Sequence, residues 1–151
     1  MNVPGSQEFE VLSGSARETL RWVVVCAGDS EDLYTLLRVY DGDTVVAAGS
    51  GFGGPALWPG SVMNEWRGRT DDLPYFVMAR TEPAVTRVVA TTDQGLDVEL
   101  SLSEPVERFG LRFAAAALPD GHAPQRIRAE RDGSVISERP QSMPPPRSRP
   151  A

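Results

Sequence analysis

The chain has 151 residues, 40% hydrophobic and 24% charged, enough for one ordinary hydrophobic core and not the composition of a globally disordered chain. Twelve arginines and all 21 acidic residues precede Arg139, so this body carries −9, while Arg139, Arg147 and Arg149 give the final stretch +3, for a formal net charge of −6. An acidic body repels phosphate, which argues against nucleic acid and anionic membrane as partners; the single cysteine, Cys26, excludes an intramolecular disulfide, and no apolar run reaches the length of a membrane span.

Residues 1–7 read as a loose leader without the basic and apolar regions of a secretory signal, so the expected location is the cytoplasm. Residues 9–12 suggest a short first strand, broken by Ser13-Gly14-Ser15. Residues 20–27 are apolar and β-branched, as in a central strand buried on both faces. After an acidic turn (Asp29, Glu31, Asp32), residues 33–40 and 44–48 flank Asp41-Gly42-Asp43, a hairpin signal because Asp-Gly supplies the positive φ of tight β turns. Residues 49–74 hold six glycines and three prolines with no sustained period, which predicts a long irregular loop with one short strand near 62–66.

Regular structure is expected again at 75–79. Residues 85–92 and 96–102 read as a second hairpin. In its latter half Leu96, Val98, Leu100 and Leu102 alternate with polar residues, the pattern of a strand with one wet face. Residues 109–118 carry alanines that favour helix, but Gly110 and the alternation of Phe109, Leu111, Phe113 and Ala115 favour strand. A third hairpin follows at 126–131 and 134–138. Residues 139–151, rich in Pro, Ser and Arg, read as a disordered tail with local polyproline II. The pattern is all-β: one domain over 8–138, an antiparallel β-sandwich or, alternatively, a barrel, with a long Gly/Pro-rich loop.

Most signals that suggest chemistry fail on their context. All fifteen basic residues are arginine, isoleucine occurs only at Ile127 and Ile136, and asparagine only at Asn2 and Asn64. The three scarce types have AT-rich codons, so a GC-rich source explains the bias, and single arginines are not read as phosphate clamps. Gly49-Ser50-Gly51-Phe52-Gly53-Gly54 matches G-x-G-x-x-G, but Pro55, Pro59 and Gly60 prevent the helix whose N-terminus would meet a pyrophosphate. A phosphate-binding loop with its lysine is excluded. His122, the only histidine, lies in a turn and reads as a solvated loop residue. One His and one Cys do not make a zinc site, so no metal and no cofactor are expected. Cys26 reads as a buried thiol. The acidic pairs and clusters read as solvated turn residues, and no catalytic residue is assigned.

The aromatics of the glycine-rich region, Trp58, Trp66, Tyr75 and Phe52, are the candidate binding residues. Either they cover the edge of the core beneath the loop, or they form a protein contact or a sugar-stacking platform. The tail has Pro144-Pro145-Pro146 but no P-x-x-P spacing.

Residues 85–90, 95–100, 109–113, 118–121 and 127–133 resemble small β domains of uncharacterised actinobacterial proteins, over roughly 74–138. The resemblance implies a β-sandwich without assigned catalytic residues. Some members of that family look membrane-anchored, and this chain departs from them in having no anchor. The function expected from the sequence is a non-enzymatic protein-interaction module, binding an unidentified protein or itself. Carbohydrate or other small-ligand binding comes second, and a small hydrolase third.

Overall fold

A computed structural model describes residues 8–140. Among these residues every regular element is a β-strand. They are β1 (Phe9–Ala16), β2 (Leu20–Gly28), β3 (Leu33–Asp41), β4 (Thr44–Phe52), β5 (Met63–Gly68), β6 (Phe76–Thr81), β7 (Arg87–Thr92), β8 (Asp97–Glu99), β9 (Ser101–Leu102), β10 (Arg112–Ala117), β11 (Pro124–Arg131) and β12 (Ser134–Pro140). With no helix present, none among the described residues is long and apolar enough to cross a membrane.

The strands form three four-stranded antiparallel sheets, in the orders β1-β2-β3-β4, β5-β6-β10-β9 and β12-β11-β7-β8. Side-chain parity explains how they stack. All six residues of β6 are buried. Phe76 and Met78 pack with Leu20, Trp22, Val24, Leu37 and Val39 of the first sheet. Val77 and Ala79 pack with Val88, Ala90, Ile127 and Ala129 of the third. β10 divides the same way, with Ala115 on one side and Ala114 and Ala116 on the other. The middle sheet is thus buried on both faces, and the molecule is a β-sandwich of three layers, in which no sheet closes into a barrel. A run of alanines suits that position, because small side chains let two apolar layers approach one strand from both sides.

The expected all-β class holds, with several differences of detail. Ser13-Gly14-Ser15 does not break β1, which runs on to Ala16, because Gly14 pairs with Trp22 across the strands and the indole lies in the space a side chain would need. The long loop is shorter than expected. β4 continues through Gly49 and Gly51 to Phe52, and β5 is longer than the strand predicted near 62–66, leaving irregular chain only at 53–62 and 69–75. Residues 112–117 are strand, as alternation favoured, while Phe109 and Gly110 belong to a turn closed by the Val106–Leu111 bridge.

The clearest alternating run, 96–102, is not one strand. It bends at Leu100, whose N–H donates to the Val88 carbonyl at 2.8 Å, and passes from the third sheet (β8) to the middle one (β9). Leu96, at its start, is 43% exposed. β12 extends to Pro140, beyond the expected domain end. The expected leader, 1–7, and the tail from 141 onward lie outside the described residues.

Candidate functional site

β2 starts at one end of the sandwich and finishes at the other, and the two ends differ. At the far end, where β2 leaves at Gly28, the chain between β4 and β5 folds over the gap between the first and middle sheets. Ala56 and Leu57 of this loop pack on Cys26, Leu33, Phe109, Leu111 and Phe113. Backbone bonds attach it to the acidic turn. Leu33 donates to Gly54 O at 2.8 Å, and Ala56 donates to Ser30 O at 2.9 Å. Asn64 Nδ2 reaches Ala56 O at 3.3 Å.

Beneath the loop lies Arg80, fully buried. Parity places it there: in β6 it follows Phe76 and Met78 onto the face that meets the first sheet. Its Nη1 donates to Leu33 O at 2.6 Å and Thr35 Oγ1 at 3.1 Å. Its Nη2 donates to Pro55 O at 2.8 Å and Gly53 O at 3.3 Å. The Phe52 ring covers the guanidinium at 4.3 Å. No carboxylate among the described residues forms an ion pair with it. Burial pushes Arg80 down to about 10, which leaves it a cation at neutral pH. The guanidinium therefore stabilises backbone carbonyls that have no strand to pair with, and these belong to the acidic-turn end of β3 and to the loop.

The loop so held presents Trp58, 58% exposed, the most exposed of the large hydrophobic side chains among the described residues. Its indole lies over Gly54, whose left-handed φ of 86° leaves no side chain beneath the ring. The other sequence candidates do not join it. Phe52 and Trp66 pack in the cluster between the first and middle sheets. Tyr75 packs on the cluster between the middle and third sheets, with Arg69 over its ring at 5.5 Å. The four aromatics do not form one surface, and of them only Trp58 is exposed.

At the opposite end, the β1–β2 turn, the end of β10 and the start of β6 enclose a groove of about 380 Å³. Its walls are largely apolar, with Ala16, Pro74, Val98, Ala117 and Leu118 among them. Arg17 sits at its lip with a positive φ of 54°. It pairs with Asp120 at 2.8 Å and donates to Asp72 O at 2.9 Å.

The remaining candidates take structural roles. Cys26 is buried, and burial pushes its thiol up to about 12 in spite of the Arg108 and Arg80 charges nearby, so it is a poor nucleophile. His122 is not the solvated residue expected from its turn. It is half-buried, with Nδ1 2.9 Å from Thr92 Oγ1. That oxygen also accepts the N–H groups of Gln94 and Leu96 at 3.2 Å each. Asp29 Oδ1 accepts the N–H groups of Glu31 and Asp32 and so builds its own turn. No group of three or more metal-ligating side chains occurs among the described residues.

Arg80 and Arg17 were missed in the sequence, and only one carried a signal. A lone charge on the inward parity of an otherwise apolar run, as in Phe-Val-Met-Ala-Arg-Thr, points to a buried cation with a task. Nothing local marks Arg17. No family model matches the chain, and no curated protein or solved structure matches it either.

Proposed function

We propose that the protein is a non-enzymatic, cytoplasmic binding module that contacts a protein partner through the loop at 53–62, with Trp58 as the anchoring side chain. One observation carries this reading: a loop fixed from below by hydrogen bonds from a buried guanidinium to Gly53 O and Pro55 O holds an exposed indole at its surface. Tryptophan on a preorganised support is the kind of residue that dominates protein interfaces, because little ordering entropy remains to be lost on binding. The −9 body argues against a nucleic-acid partner.

The test is affinity capture from native extract, quantified by mass spectrometry, with the native chain beside Trp58→Ala. A protein enriched by the native chain and lost from the folded variant supports the reading. Equal enrichment by both removes the loop from it. Trp66 is left intact, because it packs in the core cluster and its removal would confuse folding with binding.

A second reading, small-ligand binding, draws support from the groove at the other end, whose apolar walls and Arg17–Asp120 lip suit a molecule with one apolar and one charged part. Saturable chemical-shift changes confined to Arg17, Val98 and Leu118 during a ligand screen would support it. Changes elsewhere only would count against it.

A further inference from the structure

We propose that residues 144–149, Pro144-Pro145-Pro146-Arg147-Ser148-Arg149, dock in cis on the Trp58 face, so that the chain covers its own contact surface until a partner displaces the segment. This rests on the reading of the Trp58 loop as the contact surface and adds its regulation.

Three features on the surface converge. The first is where the described chain ends. Arg139, one residue before the end of β12, donates through Nη2 to Ser61 Oγ at 3.2 Å and to Met63 O at 3.1 Å. Ser61 in turn donates its N–H to Trp58 O at 2.9 Å. The chain therefore leaves β12 within an arginine side chain's length of the Trp58 loop. Eleven residues, 141–151, would span roughly 34 Å at the about 3.1 Å per residue of polyproline II, far more than this distance.

The second is charge. Beside the loop lies the acidic turn, joined to it by the Leu33–Gly54 and Ala56–Ser30 hydrogen bonds. Asp29 is engaged in its own turn, but Glu31 and Asp32 are exposed and form no ion pair among the described residues. Arg147 and Arg149 stand three and five residues after Pro144. Prolines over the indole would bring them to these two carboxylates, an order that matches apolar to apolar and positive to negative along one path. The third is the indole itself. Proline rings pack on exposed tryptophan faces with little entropy left to lose, because polyproline II is already extended.

The test uses the full chain with a nitroxide placed through Ser148→Cys. Cys26 is buried, so the label goes to the new thiol. Amide signals of Gly53, Gly54, Ala56, Trp58 and Asp32 are expected to lose intensity several-fold more than those of Arg17, Glu18 and Gly121 at the opposite end. Trp58→Ala, or Arg147→Glu with Arg149→Glu, should restore them. Equal broadening at both ends, or broadening that survives these substitutions, overturns the proposal. So does broadening of an isotope-labelled chain by a spin-labelled second copy, which would make the docking intermolecular. If the broadening is absent while Trp58→Ala still abolishes partner capture, the docking fails and the contact surface stands.

Discussion

At one end of the first and middle sheets Arg80 is fully buried and donates to backbone carbonyls, while at the other Arg17 is exposed and pairs with Asp120 at 2.8 Å. The two share a side-chain type, but their surroundings give them different work. Where water is excluded, unpaired carbonyls are costly, and a guanidinium that satisfies several at once fixes the chain that carries them. Where water is present, the same group contributes little to stability and is free to meet a ligand. The difference separates a loop held in place, topped by Trp58, from a groove whose lip is held by an exposed ion pair and one hydrogen bond to a backbone carbonyl.

The strongest way to break the comparison is Arg80→Met. It retains most of the apolar volume and leaves Leu33 O, Gly53 O and Pro55 O without their donor. The expected loss is about 3–5 kcal/mol in urea denaturation, with faster amide exchange at Leu33 and Ala56. Arg80→Lys should recover only part of it, because one ammonium does not span carbonyls on both sides of the guanidinium fork. A loss below about 1 kcal/mol would mean that packing of Ala56 and Leu57, not the guanidinium, holds the loop.

A smaller effect tests whether the layers joining the two ends are tightly set. Ala115 is fully buried, and β10 carries apolar layers on both faces. Ala115→Leu should cost about 1–3 kcal/mol through overpacking, read as a lowered denaturation midpoint. No loss would show slack between the first and middle sheets.

Glu130 of the third sheet lies between the two extremes of burial, and it adds pH dependence. Hydrogen bonds from Arg128 at 2.9 Å and from Arg87 at 3.2 Å hold its carboxyl below the ordinary value of 4.5 despite burial. Its folded-state value is depressed, so its stabilising contribution is present above the ordinary value and is lost as the pH falls below it. Stability profiles of the native chain and Glu130→Gln should therefore converge in the acid limb below pH 4.5 and separate above it. A constant offset across the range would show that the charge is not what matters.

Much of the fold was legible because buried strands need apolar, β-branched residues: β2 and β3 read directly as strands flanking an acidic turn. What escaped depended on partners distant in sequence. Gly14 looks like a breaker until Trp22 is seen above it. Gly51 looks like loop chemistry until Leu36 is seen opposite it in β3. Leu96 to Leu102 looks like one strand because alternation does not reveal a change of sheet at Leu100. Of the candidate site, Trp58 was legible as an aromatic among glycines and prolines. Its separation from Phe52, Trp66 and Tyr75 was not, since the layer each packs on depends on the topology.

The smallest effect sharpens the other side of the comparison. Arg17 combines an exposed ion pair with a backbone at φ 54°, a region that disfavours side chains bearing Cβ. Arg17→Ala loses the pair and keeps the strain, so it should cost at most about 1 kcal/mol, and less as salt is raised. Arg17→Gly loses the same pair but relieves the backbone, by roughly 1 kcal/mol, and should be as stable as the native chain. The gap between the two variants measures the strain apart from the charge. If both lose several kcal/mol, Arg17 does structural work like that of Arg80, and the groove end is as firmly built as the loop end. If the gap appears as expected, a strained arginine is held at the lip of a groove for little gain in stability, which is the pattern of a side chain retained for what it touches.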